Sequence, residues 1–332
     1  WSNYMAPGVL EEFTKETGIK VTYDTFDANE TVETRLLAGK SGYDVVVPTA
    51  YFLQRQIAAN IFQKLDKSKI PNLANAWPEI TKRLAIYDPG NVFAANYMWG
   101  TTGIGYNVAE IKKRMPDAPV DSLRMIFDPA VVSKFKDCGV MLLDSATDVL
   151  PAALRYLGLD PDSKKSEDLA RAADVVKAVR PFVTKFHSSE YINALAGGSI
   201  CLAFGFSGDI FQARDRAAKA ADKREIAYTI PKEGSLLWID VAGIPKDAPN
   251  LANAYAFLDF MLEPKVAAAS SEVTGYANAN KAALALLPKD VSGNLLIYPP
   301  ADVRAKFYTI TAGNADQLRE RTRLWTAIKT GR

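Results

Sequence analysis

The chain has 332 residues, 48% of them hydrophobic and 23% charged, an ordinary globular composition with room for two domains. Its 40 basic and 38 acidic residues leave a net charge of +2, and no dense Lys/Arg tract occurs, which argues against a nucleic-acid binder. No apolar run approaches the roughly 20 residues of a membrane span, so no membrane insertion is expected.

The first residue is Trp1 rather than Met. That start is expected of a processed or truncated N-terminus, as after removal of a signal peptide. Pro7 suits a first helical turn, and Val9, Leu10, Phe13 and Thr17 carry helical spacing up to a stop at Gly18. Ile19 to Tyr23 alternates as a strand. Glu30 to Ala38 reads as a helix ended by Gly39, and Tyr43 to Pro48 as a buried strand. Alternation of apolar strands with helices predicts a mostly parallel sheet covered on both faces. Ligands bind beyond the C-terminal ends of such strands. Thr49 and Tyr51 occupy that place, and Trp1 to Tyr4 would too if a strand precedes Trp1.

Val92 to Trp99 reads as a strand, Gly100-Thr-Thr-Gly-Ile-Gly as a glycine-rich turn, and the residues up to Asn107 as a further strand. No Gly-Lys-Ser/Thr follows, so a phosphate loop is not expected. Val140 to Asp144 is a buried strand that opens into a helix at Ser145. There Asp148 reads as a capping-box acid, as a ligand carboxylate, or as both. Helices are predicted to Leu157 and over Ser166 to Val179. His187 is the only histidine and reads as structural, and no metal-ligand cluster is present. Cys201 to Phe206 is a strand leading through a glycine turn to a helix, with Asp209 at the junction as N-cap or ligand. Ser235 to Pro245 is an apolar strand holding one carboxylate, Asp240, with Trp238 two residues earlier and so on the same side. A carboxylate on an apolar strand needs a positive or hydrogen-bonding partner. Helices over Leu251–Met261, Ala301–Phe307 and Asp316–Ile328 and a turn-rich aromatic loop at Val273–Asn280 complete the chain.

Three acids at or in strands (Asp148, Asp209, Asp240), with aromatics nearby, suit an extended organic cation: charge from the carboxylates, ring quadrupoles along the chain. No Ser or Thr near them has a histidine partner. Paired acids also serve glycoside hydrolysis, which is the competing reading. Cys138 and Cys201 each flank a strand-like run. They are either bridged, closing a loop of roughly 60 residues worth about 4 kcal/mol, or two buried thiols.

Several stretches carry a family resemblance: Trp1-Ser-Asn-Tyr, Lys15-Glu-Thr-Gly-Ile-Lys-Val, Tyr43-Asp-Val-Val-Val-Pro, Tyr97-Met-Trp-Gly-Thr-Thr-Gly-Ile-Gly-Tyr-Asn, Phe186-His-Ser-Ser-Glu-Tyr-Ile, Tyr276-Ala-Asn-Ala-Asn-Lys and Tyr298-Pro-Pro-Ala-Asp-Val-Arg. Nearly end to end, the chain resembles the periplasmic polyamine receptors of ABC transporters, those for putrescine and spermidine. The resemblance implies an α/β, two-lobed periplasmic binding protein of type II, each lobe a mixed, mostly parallel sheet flanked by helices, closing on its ligand in the interlobe cleft. Lobe 1 is expected at 1–105 plus 243–300 and lobe 2 at 106–242 plus 301–332.

The resemblance also implies a Cys138–Cys201 disulfide and a polyamine pocket of Trp1, Ser2, Tyr4, Thr49, Tyr51, Asp148, Phe206, Asp209, Trp238, Asp240 and Tyr276. Asp240 would hold one ammonium, Asp148 the other end and Asp209 a further amine. Within the family pattern, Asn3 stands where relatives often have an acid, Asp148 where they have Glu, Phe206 where they have Trp or Tyr, and Thr49 where they have Ser. Tyr51 and Trp238 look like the spermidine-preferring members. Implied besides are a periplasmic location, a membrane permease as partner, a monomer, no cofactor, no metal and no catalysis. The runner-up ligand is another cationic amine.

Overall fold

The computed structural model describes residues 1–331. They form two compact units, Trp1–Gly100 with Trp238–Tyr298, and Thr101–Leu237 with Pro299–Arg332. The expected changes of unit at 105/106, 242/243 and 300/301 fall instead at 100/101, 237/238 and 298/299. Two of these lie inside strands, and the shift places Trp238 and Asp240 in the first unit.

Seven strands are hydrogen-bonded: β1 Ala94–Asn107, β2 Val140–Leu142, β3 Lys185–Phe186, β4 Leu202–Phe206, β5 Ile226–Thr229, β6 Leu237–Gly243 and β7 Ala277–Asn278. In the second unit their order is β3-β2-β4-β1-β5. There β2 runs parallel to β3 and β4, whereas β1 is antiparallel to β4 and β5. In the first unit β1 pairs with β6 and, antiparallel, with β7. The sheet is thus mixed, with its parallel part confined to the strands joined through helices Ala146–Tyr156, Ser166–Val179 and Tyr191–Gly197. The bridge Cys138–Cys201, with Cα atoms 5.5 Å apart, ties the start of β2 to the start of β4. The lone histidine is structural: His187 Nδ1 accepts from the backbone N–H groups of Ser189 and Glu190.

Two strand expectations change in the structure. Gly100 to Asn107 makes no turn, because β1 runs straight through 14 residues. Its glycines serve close packing. A Cβ on Gly103 would lie 2.6 Å from the Thr229 carbonyl oxygen, and one on Gly105 2.3 Å from Ile210. Residues 19–24 and 43–47 form no strand, apart from an isolated antiparallel bridge between Val46 and Gly243. Helix Val9–Thr17 nevertheless forms as expected, ended by Gly18 in the left-handed region at φ 75°, and buries Phe13 against Phe260 at 5.2 Å between centroids.

Gly103→Ala should lower the unfolding free energy by about 1–3 kcal/mol, since the Thr229 backbone cannot yield to the new methyl. Urea denaturation with an unchanged slope measures it, and a wild-type midpoint would refute the packing role.

Candidate functional site

In the first unit the site is organised by β6, every residue of which is buried. Apolar side chains make the strand, and Asp240 interrupts them with a carboxylate only 4% exposed. Tyr4 Oη donates to Asp240 Oδ2 at 2.7 Å. Asp240 Oδ1 has no hydrogen-bond partner. Thr49 faces Asp240 across an isolated antiparallel bridge. Asn29 holds Thr49 on both sides: its Oδ1 accepts from the Thr49 N–H and its Nδ2 donates to Thr49 Oγ1, each at 3.0 Å. The Thr49 hydroxyl in turn favours the charged form of Asp240.

Burial pushes the Asp240 carboxyl up to about 6, against the pull of the Tyr4 and Thr49 hydroxyls, which favour the charged form. The site is therefore built for a negative charge that the folded protein alone does not fully stabilise. Aromatic rings stand around it. Tyr276 packs edge-on against both Trp238 (5.1 Å) and Tyr4 (5.4 Å), and Tyr4 against Tyr97 (5.7 Å). Tyr97 Oη donates to the Tyr4 carbonyl at 3.1 Å, which fixes the loop that carries Tyr4.

The structure thus brings together Tyr4, Thr49, Trp238, Asp240 and Tyr276. Trp1 packs on Phe26 at 4.7 Å with its buried amino group feeling the Asp240 charge, Tyr51 packs on Phe52 at 5.3 Å, and Ser2 is exposed. Asn29 and Tyr97 were missed. Asn29 opens a helix and reads as a cap, and Tyr97 sits in a strand where an aromatic reads as core.

In the second unit Asp148 is buried in the first turn of helix Ala146–Tyr156. The expected capping box does not form. Ser145 Oγ donates to Asp148 Oδ2 at 2.6 Å, and Thr102 Oγ1 donates to Oδ1 at 3.1 Å. Asp209 is not an N-cap either. It lies in the first turn of helix Ser207–Lys219, whose N-cap is Phe206. Tyr191 Oη donates to Asp209 Oδ2 at 2.6 Å and accepts from the Phe206 N–H at 3.1 Å.

Tyr191 can lie along β4 because Gly205 has no side chain: a Cβ there would stand 2.6 Å from its ring. Burial and the Asp209 and Asp148 charges hold the Tyr191 hydroxyl protonated, far above its ordinary range. Tyr308 is likewise raised, by burial and then by Asp148. Sequence reasoning named the two acids but not Tyr191, Thr102 or Tyr308, whose hydroxyls carry no motif. Phe206 is half-buried at the end of β4, where its own N–H donates to Tyr191 Oη.

Each unit therefore offers a shielded carboxylate served by neutral hydroxyl donors, on an α/β scaffold whose loops follow strand ends. Among the described residues no group of three His, Cys, Asp or Glu is placed to hold a metal ion. No helix among them is long and apolar enough to cross a membrane.

Scaffold and sites together define a ligand-binding protein of the two-unit α/β kind. The chain belongs to the bacterial extracellular solute-binding proteins, whose family model matches residues 8–295. It is 49% identical to the putrescine-binding periplasmic protein SpuD of Pseudomonas aeruginosa, over 100% of this chain and 91% of that one. It is also 49% identical to the putrescine-binding periplasmic protein PotF of Escherichia coli, over 100% and 90%. Among solved structures, it superposes with a TM-score of 0.80 on the substrate-binding protein PotD of a spermidine/putrescine ABC transporter from Streptococcus pneumoniae. The two are 30% identical over 99% of this chain and 97% of that one. These similar structures carry the type II periplasmic binding protein fold.

Asp240 also sets a stability trend. Its folded pKa, about 6, lies above the unfolded value near 4, so the folded state holds the extra proton between those values. Ligand-free stability should be highest below pH 4 as far as this group is concerned, fall as pH rises to 6, and then level off. Asp240→Asn should flatten that fall and raise the ligand-free unfolding free energy at pH 7 by about 1–3 kcal/mol. Denaturation at pH 4, 5, 6 and 7 reads it, and a variant less stable than wild type at pH 7 would refute the unrelieved charge.

Proposed function

We propose that this protein captures a polyamine outside the cytoplasm, in the periplasm, and delivers it to the membrane permease of an ABC importer, acting as a monomer and without catalysis. The observation that carries the reading is Asp240: a buried carboxylate with one oxygen unpartnered, one bound by Tyr4, and aromatic rings around it. An ammonium group supplies both the missing charge and the missing donors, and rings favour its flank. Asp148 and Asp209 in the second unit, with their hydroxyl donors, offer the same chemistry to a second amine. A molecule with two ammonium groups joined by methylenes carries the cation that each kind of site accepts. Trp1, Ser2, Tyr51 and Phe206 complete the proposed ligand set, the rings covering the methylenes. The names of the relatives, which bind putrescine, or spermidine and putrescine, support the same ligand class. Hydrolysis by paired acids finds no support in these relatives, and no observation favours it.

Titration calorimetry of ligand-stripped protein with putrescine and then spermidine tests the reading. Tight binding of at least one is expected, with spermidine preferred if Tyr51 and Trp238 set the length. No heat with either, from folded protein, would refute it. Asp240→Asn and Asp209→Asn should each cost about 2 kcal/mol or more of binding. Unchanged affinity in both would remove the proposed site.

The pH dependence follows from Asp240. Binding requires its charged form, so amine affinity should be flat above pH 6 and fall about tenfold per pH unit below it, with a proton released on binding in that range. Calorimetry in buffers of different ionisation enthalpy measures both.

A further inference from the structure

Two helices of the first unit begin with residues suited to cap them, and neither residue does so. Thr49 is the N-cap of helix Ala50–Ala58, yet its hydroxyl makes no capping hydrogen bond. Asn29 is the first residue of helix Asn29–Leu37, whose N-cap is Ala28 and which also lacks a side-chain cap. Asn29 and Thr49 are both buried, and their side chains are turned to each other instead.

The chemistry of that pair has a direction. The Thr49 N–H can only donate, so the Asn29 atom that meets it is Oδ1, and Nδ2 is left to face Oγ1. The Thr49 hydroxyl accepts from Asn29 and so stays a donor towards other groups. On the far side of Thr49 stands β6. Thr49 pairs with Asp240 in the isolated antiparallel bridge, and the Val241 N–H donates to the Pro48 carbonyl at 3.0 Å, which holds the segment against the strand. Among the described residues both side-chain hydrogen bonds of Asn29 go to Thr49, so its influence on the acid passes through that residue.

We propose that Asn29 is a positioning residue of the amine site: it holds the Thr49 hydroxyl as a donor towards Asp240 and thereby keeps that carboxylate ionised for an ammonium group. The proposal rests on the reading of Asp240 as an amine site and adds a residue that acts on the ligand only through the acid. Burial pushes the Asp240 carboxyl up to about 6, and the Thr49 hydroxyl pulls against it. The other titratable groups facing this acid are the Tyr4 hydroxyl, the Tyr97 hydroxyl from β1 and the Trp1 amino group, which also feels Asp24. All of these stay in place when Asn29 is replaced. Without Asn29 the Thr49 hydroxyl is free to turn and cap its own helix, and Asp240 loses a donor that favours its charge.

The test follows the Asp240 carboxyl carbon by NMR across pH in four ligand-free proteins: wild type, Asn29→Ala, Thr49→Val and the double variant. The midpoint should rise by about one pH unit in each single variant, and the double variant should match Thr49→Val, because no hydroxyl remains to be oriented. Calorimetric titration with spermidine should show a loss of about fivefold in Asn29→Ala at pH 6 and almost none at pH 8. An unchanged midpoint in Asn29→Ala would overturn the role. So would an affinity loss of equal size at both pH values, which is the mark of a merely structural residue. Should Asn29→Ala not fold, Asn29→Asp still accepts from the Thr49 N–H but offers Oγ1 no donor; its midpoint should rise as well, and one that stays would overturn the role equally. Shifted midpoints in proteins that give no heat with spermidine or putrescine, wild type included, would refute the amine reading while the coupling of Asn29 to Asp240 stands.

Discussion

A carboxylate inside an all-buried strand is the constraint on which the first unit depends. Asp240 needs compensation within a strand that otherwise offers only apolar contacts, and the fold supplies part of it. Tyr4 gives one hydrogen bond and Asn29 positions Thr49 opposite, while burial still keeps the carboxyl near 6. A site left partly unpaid in this way is stabilised by whatever cation completes it, which is how a binding protein converts stored electrostatic cost into affinity. Rigid aromatic contacts among Tyr4, Tyr97, Trp238 and Tyr276 keep the carboxylate from finding relief by moving.

The second unit meets its acids differently. Asp148 and Asp209 both sit in first turns of helices, where the helix dipole favours negative charge. Each is served by hydroxyls from other elements: Thr102 on β1 reaches Asp148, and Tyr191 reaches Asp209 from the helix that packs on β4. These donors stay protonated, so they hold the carboxylates in place without neutralising them. The geometry of both carboxylates is thus set by the protein. The disulfide fastens the neighbouring ends of β2 and β4, the two strands that lead to these acids.

Glycine shows most plainly how sequence pattern and packing differ. Gly100, Gly103 and Gly105 resemble a turn, since glycine is the commonest turn residue. In the structure the latter two lie mid-strand, where Tyr228, Thr229 and Ile210 come too close for any side chain. Gly205 likewise exists for the ring of Tyr191. None of these contacts is local, so no window of sequence displays them.

The sequence by itself determined the helices with clear caps and stops, such as Val9–Thr17, the buried strand around Asp240, the three acids, and the family to which the chain belongs. These follow from periodicity, from local turn chemistry, and from the oddity of a charge among apolar neighbours. Tertiary structure alone decided that Asp148 and Asp209 are held by hydroxyls rather than acting as caps. It decided too that Asn29 and Tyr97 support the first site, and that residues 19–24 and 43–47 are strands in composition but not in pairing. The physical reason is the same in each case. A hydrogen bond or a ladder needs a partner brought from elsewhere in the chain, and propensity describes only one side of that bond.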